Sequence, residues 1–297
     1  MQQILHDLLT RFPKKMILDT DTYNEVDDQF AVAYAMLSPQ LEVLSFNAAP
    51  FFNDRSSDPA DGMEHSYQEL HHVTGLTRPD HGIPIYRGAS AFMSAPNTPV
   101  DSDAAQNIIR TAHAMPDGER LYVVAIGAIT NVASALLLDP SIRSRIVVVW
   151  LGGNAHQSGA PREFNMHGDL LASQYVFNCG VPVVQIPCDG VCTELLTTIP
   201  ELDYYLKGKN ALCDYLCDIV RTYVPDTYGW SKVIWDVSAV ACIALPNCMD
   251  RVILPTPYIN QDFYSFNAAR HPMIYVRKLN RDIIYADLFR KLAKKDR

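Results

Sequence analysis

Four aspartates, Asp19, Asp21, Asp27 and Asp28, stand within "MILDTDTYNEVDDQFAVAYAML", residues 16 to 37, where a strand-like apolar run gives way to a helix-like one. One or two acids at that point need no special chemistry, because the dipole of a helix favours negative charge in its first turn by about 0.3–1 kcal/mol per group. Asp19 and Asp21 fall at the strand end, outside that benefit. Four crowded carboxylates repel one another unless a cation or a raised pKa relieves them. A hard divalent cation is the simplest relief, since carboxylate oxygens are its natural ligands.

The elements around this cluster must hold it in place. Apolar runs of strand length recur along the chain as "KMILDTD", "LEVLSFNAA", "RLYVVAIG", "RIVVVWLGG", "VPVVQIP" and "HPMIYVRK". Continuous Val/Ile/Leu runs mark strands buried on both faces. Helix-like stretches such as "DDQFAVAYAML", "ITNVASALLLDP" and "DLLASQYVFNCG" follow several of them. The alternation predicts βαβ units and an open, mainly parallel, Rossmann-like α/β sheet with helices on both faces. No Gly/Ser linker, repeat or low-complexity tract divides residues 1–297, so one domain is expected, with the Tyr-rich segment 196–235 as a helical insertion over one face. "NDRSSDPADG" and "HQSGAPREFN" are expected to be long functional loops.

Composition narrows the partners. The 297 residues are 48% hydrophobic, enough for a continuous core, and carry a formal net charge of −8. Without a Lys/Arg-rich block there is nothing to neutralise phosphates, which argues against nucleic acid or an anionic membrane as partner. A small molecule is the expected ligand. The N-terminus lacks the pattern of a signal peptide and no apolar run reaches membrane-spanning length, so a soluble, cytoplasmic protein is expected. Seven scattered cysteines, an odd number without a CxxC pair, are expected to be buried thiols.

In an open α/β sheet, ligands bind beyond the carboxyl ends of the strands. That rule selects Asp19 and Asp21, the 47–53 segment, Ile126 and Gly127, 152–154 and Asp189. "ILDTDT" fits the strand and Asp-x-Asp-x-Thr of haloacid-dehalogenase-type phosphatases, with Asp19 as nucleophile and Asp21 as general acid. No acidic pair after residue 200 completes that site.

A second resemblance covers more of the chain. The Asp-x-Asp and Asp-Asp pairs, "IGAITNVASALLLDP" at 126–140, "LGGNAHQSGAPREFNMHGD" at 151–169 and "IWDVSAVACIAL" at 234–245 resemble, in order, motifs of the calcium-dependent inosine-uridine preferring nucleoside hydrolases. The resemblance implies cleavage of the N-glycosidic bond of a ribonucleoside to ribose and free base. It implies a Ca2+ ion held by Asp21, Asp28, Asp236 and the Ile126 carbonyl, with Asp21 also the general base and Asp19 orienting the turn behind them. For the sugar it implies Asp27, Asn53 and Asn165 at the 2′ and 3′ hydroxyls and Glu163 with Asn154 toward the 5′ side, with Asn24 at the ribose in place of a Pro-Gly turn. Trp235 replaces the histidine that many members carry before the last metal aspartate. An aromatic face there, with Tyr228 or Trp230 nearby, favours purine nucleosides through stacking. His156 and His167 are further candidates for protonating the base. A homodimer or homotetramer is implied as well. The altered sugar and base contacts also suit a catalytically weak nucleoside-binding homologue.

Overall fold

The computed structural model describes residues 1–80 and 82–294. Its strands, in chain order, are β1 (Lys14–Thr20), β2 (Leu41–Ala48), β3 (Ile85–Tyr86), β4 (Leu121–Ala125), β5 (Ile146–Leu151), β6 (Val183–Ile186), β7 (Leu196–Thr197), β8 (Lys232–Val233), β9 (Met249–Pro255), β10 (Tyr258–Ile259), β11 (Tyr264–Ser265) and β12 (Pro272–Leu279). The α-helices are α1 (Gln2–Thr10), α2 (Asp28–Leu37), α3 (Pro59–Thr77), α4 (Asp103–Ala114), α5 (Thr130–Leu138), α6 (Phe164–Gly168), α7 (Leu170–Asn178), α8 (Ile199–Tyr205), α9 (Ala211–Arg221), α10 (Val237–Ala244) and α11 (Arg281–Leu292).

Eight strands form one sheet in the order β3-β2-β1-β4-β5-β6-β12-β9, in which every neighbouring pair is parallel except β9 and β12. The central strands separate two apolar layers by the period of two that strand geometry imposes. Met16 and Leu18 of β1 pack on one side, with Phe30 and Val240 from the helices, while Ile17 packs on the other with Ile108 and Val132. In β5 likewise, Val147, Val149 and Leu151 join the first layer, and Val148 and Trp150 the second. Helices α2 and α10 are buried almost all round. They can be apolar on every face because sheet and neighbouring helices enclose them.

The chain leaves β1 outward to β2 and β3, then returns to β4 on β1's other side. The loops after β1 and β4 therefore diverge, and a crevice opens between them at the switch point of the sheet. The predicted polar loop 53–62 is shorter than expected, because Asp58 accepts the Asp61 N–H at 2.9 Å and Pro59 starts α3. That is an N-cap followed by the residue best suited to a helix's first position. Segment 196–235 contains α8 and α9 between the short antiparallel β7 and β8. All seven cysteines are unpaired, and all but Cys179 are buried. Among the described residues, no helix is long and apolar enough to cross a membrane.

Candidate active site

The crevice holds a cavity of about 270 Å³, open to solvent on one side. Four of the acids that line it come from two places in the chain: Asp21 and Asp27 from the β1–α2 loop with Asp28 at the first position of α2, and Asp236 from the start of α10. Carboxylate oxygens of Asp27, Asp28 and Asp236 converge to within 4.8 Å of one another. Both carboxylate oxygens of Asp21 are buried without a hydrogen-bond partner. Asp28 is braced by the Thr20 hydroxyl, which donates to its Oδ1 at 2.5 Å.

Electrostatically this cluster is costly as it stands. Burial, followed by the Asp27 charge, pushes the Asp28 carboxyl up to about 7. Burial and then repulsion from its neighbours push Asp21 and Asp236 well above the ordinary carboxylate range. A buried anion needs hydrogen-bond donors or a cation, and the Asp21 oxygens have no donors. An all-oxygen set of this kind suits a hard divalent cation. Gly127 is what lets the Asp21 side chain lie where it does: a Cβ at 127 would stand 2.8 Å from Asp21 Cγ.

Ile126, just past the end of β4, lines the same cavity, and its carbonyl accepts from Asn165 Nδ2 at 3.1 Å. A carbonyl oxygen has a second lone pair, which leaves room for a cation. Asn165 Nδ2 also reaches the Leu151 carbonyl at 3.0 Å, so one amide ties the ends of β4 and β5 together. Glu163 lines the cavity while capping α6, accepting backbone N–H groups from Gly153 at 2.8 Å, Asn165 at 2.7 Å and Met166 at 3.1 Å. Asn154 also lines it, donating to the Arg162 carbonyl at 2.9 Å and accepting from the Asp189 N–H at 3.2 Å. Asn24 and the half-buried Trp235 complete the expected set at the cavity wall.

Several other candidates lie elsewhere. Asn53 is not at the wall: its Nδ2 donates to Asn24 Oδ1 at 2.6 Å, so it steadies the residue that is. Asp19 is fully buried behind the acids, where Asn131 Nδ2 donates to its Oδ2 at 2.9 Å. It cannot act as the nucleophile of a phosphatase, because it does not line the cavity. His156 is bound to Gln185 at 2.9 Å and stacks on Tyr275, and neither it nor His167 faces the cavity. Tyr228 is 97% exposed and Trp230 packs against the core, so Trp235 is the aromatic of that group at the wall.

Two residues that motif reading passes over turn out to be central. Asn131, one residue after the start of α5, donates to Asp19 and to the Ala48 carbonyl at 3.1 Å and accepts the Ala89 N–H at 2.8 Å. Lys232 is buried, with its ammonium 2.5 Å from Glu25 Oε2, 2.9 Å from the Val233 carbonyl and 3.4 Å from Asp27 Oδ1. Burial alone would lower its pKa, but the charges of Asp27 and Glu25 outweigh that and raise it. The only signal in the sequence was a basic residue in "SKVIWD", four positions before Asp236.

The family model for inosine-uridine preferring nucleoside hydrolases matches residues 16–256, which spans every element that carries the acids. The chain belongs to this family. As a nucleoside hydrolase it is an N-ribohydrolase acting on small ribonucleosides. A probable uridine nucleosidase 2 from Arabidopsis thaliana is 27% identical over 76% of this chain and 74% of its own length. The inosine-uridine preferring nucleoside hydrolase of Crithidia fasciculata is 25% identical over 82% of each chain. Among solved structures, a plant nucleoside hydrolase superposes with a TM-score of 0.76 at 20% identity, over 95% of this chain and 100% of that one. A purine-preferring ribonucleoside hydrolase from Gardnerella vaginalis does so with a TM-score of 0.75 at 21% identity, over 94% and 98%. These superpositions show that the nucleoside hydrolase fold is shared over nearly the whole chain.

Proposed function

We propose that this nucleoside hydrolase is calcium-dependent and that it binds ribose and base with the residues gathered at the cavity. The observation that carries the proposal is the buried, unpartnered Asp21 carboxylate beside Asp28 and Asp236 at the floor of the crevice. Asp21, Asp28, Asp236 and the Ile126 carbonyl would hold the ion, which supplies Lewis acidity and two positive charges there.

Cleavage of the N-glycosidic bond passes through an oxocarbenium-like sugar, so groups that bind this state more tightly than the substrate accelerate the reaction. Asp21 accepts the proton of the water that attacks the anomeric carbon. Asp27 and Asn165 bind the 2′ and 3′ hydroxyls, Asn24 supports them from the same loop with Asn53 behind it, and Glu163 with Asn154 delimits the 5′ side. A site that pairs buried hydroxyls rejects sugars lacking them, because its own polar groups are then left unsatisfied. Deoxyribonucleosides are therefore expected to be poor substrates.

Trp235 provides the flat surface for the base, and among the described residues no histidine lines the cavity to protonate it. Offset stacking on an indole favours the larger purine. The uridine and pyrimidine specificities in the names of relatives from plants and Klebsiella pneumoniae favour a second reading, pyrimidine ribonucleosides.

The test is ribose release from a panel of purine and pyrimidine ribonucleosides with 2′-deoxy controls, in added calcium and after exhaustive chelation. Release that stops on chelation and returns with calcium supports the proposal, and the ranking of bases decides between the two readings. Full release from chelated protein would remove the metal from the mechanism.

A further inference from the structure

Asp27 has two possible employers. Its carboxylate belongs to the same 4.8 Å cluster as Asp28 and Asp236, so it stands within reach of any ion they hold. It also lines the cavity where the sugar would lie. The side chain makes no capping bond to α2, so the helix start does not decide between these roles.

Lys232 does. From the geometry we infer that Lys232 is a positioning residue that keeps Asp27 out of the cation's shell and assigns it to the ribose hydroxyls. This rests on the ribonucleoside reading above. An ammonium has three N–H donors, and this one faces three acceptors: Glu25 Oε2, the Val233 carbonyl and Asp27 Oδ1. An ammonium beside Asp27 repels a dication approaching the same carboxylate and makes that carboxylate a poorer metal ligand. Neither Asp28 nor Asp236 has a cationic partner within 4 Å among the described residues, so both stay available to the ion.

The lysine is itself held in place. Its backbone pairs with Thr197 in the β7–β8 ribbon, three residues before Trp235, and its side chain is enclosed. Glu25, at the cavity wall, is the second arm of the grip: its carboxylate takes the lysine and its carbonyl accepts from Arg55 at 3.1 Å. Lys232 thus joins the loop that carries Asp21, Asn24 and Asp27 to the segment that carries Trp235 and Asp236. Of the three clustered acids, all at the cavity, Lys232 takes Asp27 alone.

The experiment compares the full-length protein with K232M and K232R by two readouts. One is calorimetric titration of calcium into chelated protein. The other is kcat and KM for a ribonucleoside and its 2′-deoxy counterpart. The expected result for K232M is a tenfold or greater rise in KM for the ribonucleoside, a tenfold smaller preference for ribose over deoxyribose, and calcium affinity equal to or tighter than wild type. K232R should recover part of the preference, because it restores the charge beside Asp27. Calcium affinity falling in step with activity, or a ribose preference that survives in K232M, would overturn the inference. If K232M does not fold, K232Q replaces it with the same criteria. If wild-type protein releases no ribose from any nucleoside, the functional reading fails. The calcium titration then decides alone: tighter or equal binding by K232M keeps Lys232 as the guard of Asp27, and weaker binding removes it.

Discussion

Replacing Gly127 by alanine tests the idea that the position of the Asp21 carboxylate governs the reaction. The new Cβ would stand 2.8 Å from Asp21 Cγ, 2.9 Å from its Oδ1 and 3.2 Å from its Cβ, where ordinary contact begins at 3.4 Å. Backbone strain does not enter, since Gly127 is not among the glycines with positive φ. The Asp21 side chain must therefore retreat by roughly 0.6 Å, and a misplacement near 1 Å costs about a hundredfold in rate. Its backbone cannot follow easily, because the Asp21 carbonyl accepts from Asn24 N–H at 2.7 Å and the preceding residue ends β1. G127A is expected to lose about 10- to 100-fold in kcat and to bind calcium more weakly. Overpacking should cost about 1–3 kcal/mol of stability as well. The assay is ribose release with calcium titration and thermal unfolding on the same preparation. G75A is the control: nothing lies within 4 Å of a Cβ there, in the last turn of α3. It should stabilise by about 0.4–1 kcal/mol and leave kcat alone. Wild-type kcat and calcium affinity in G127A would refute the reasoning, whatever its stability.

The other predictions probe the supports and the ligands. Asp236→Ala should lose calcium and turnover together, and an enzyme keeping both would take Asp236 out of the ligand set. Asn131→Ala leaves Asp19, the Ala48 carbonyl and the Ala89 N–H without their buried partner, so denaturant unfolding should show a loss of about 2–4 kcal/mol. An unchanged midpoint would show that water fills the gap without penalty. Lys14 is buried at the start of β1, its amine above the Phe12 ring and without a hydrogen-bond acceptor, and burial lowers its pKa from 10.5 to about 7. Between those values the unfolded chain binds the extra proton and the folded one does not, so the lysine increasingly opposes folding as pH falls from 10.5 to 7. K14M should therefore gain about 1–2 kcal/mol over wild type at pH 7 after allowance for solvent screening, with the gain vanishing by about pH 10.5. A gain independent of pH would show that the amine is neutral for another reason or that packing alone is responsible.

Most of the sheet could be read from the chain because its strands are buried on both faces. β1, β4, β5 and β6 are runs of Val, Ile and Leu with little competition from other patterns, and the helices between them supply the alternation that a parallel sheet requires. The exceptions have physical causes. β9, "MDRVILP", is an antiparallel edge strand whose polar residues interrupt the apolar run that marks the buried strands. The start of α3 hid in a polar stretch, although Asp58 before Pro59 is a helix start in its own right.

The site divides along the same line, between what one segment can declare and what only folding assembles. The acids declare themselves, since an excess of charge at a strand end needs a reason within its own segment. Lys232 and Asn131 cannot. Lys232 meets Asp27 across 205 positions, and Asn131 meets Asp19 across 112. In the sequence each is an unremarkable polar residue, and the property that matters is burial among groups that need a donor. Trp235 shows the converse. Its place before Asp236 suggested a base platform from the sequence, and the fold brings it to the cavity wall. Tyr228, seven residues earlier and equally aromatic, is left in solvent. Sequence proximity to Asp236 therefore selects nothing by itself. What separates these aromatics is that α10 begins at Val237, so the cap residue Asp236 and Trp235 before it are held at the cavity wall. Aromatic residues upstream are free to point elsewhere. Moving the start of α10 by even one residue would therefore displace Trp235 and Asp236 together, and the effects on the two should not be separable by mutations in that turn.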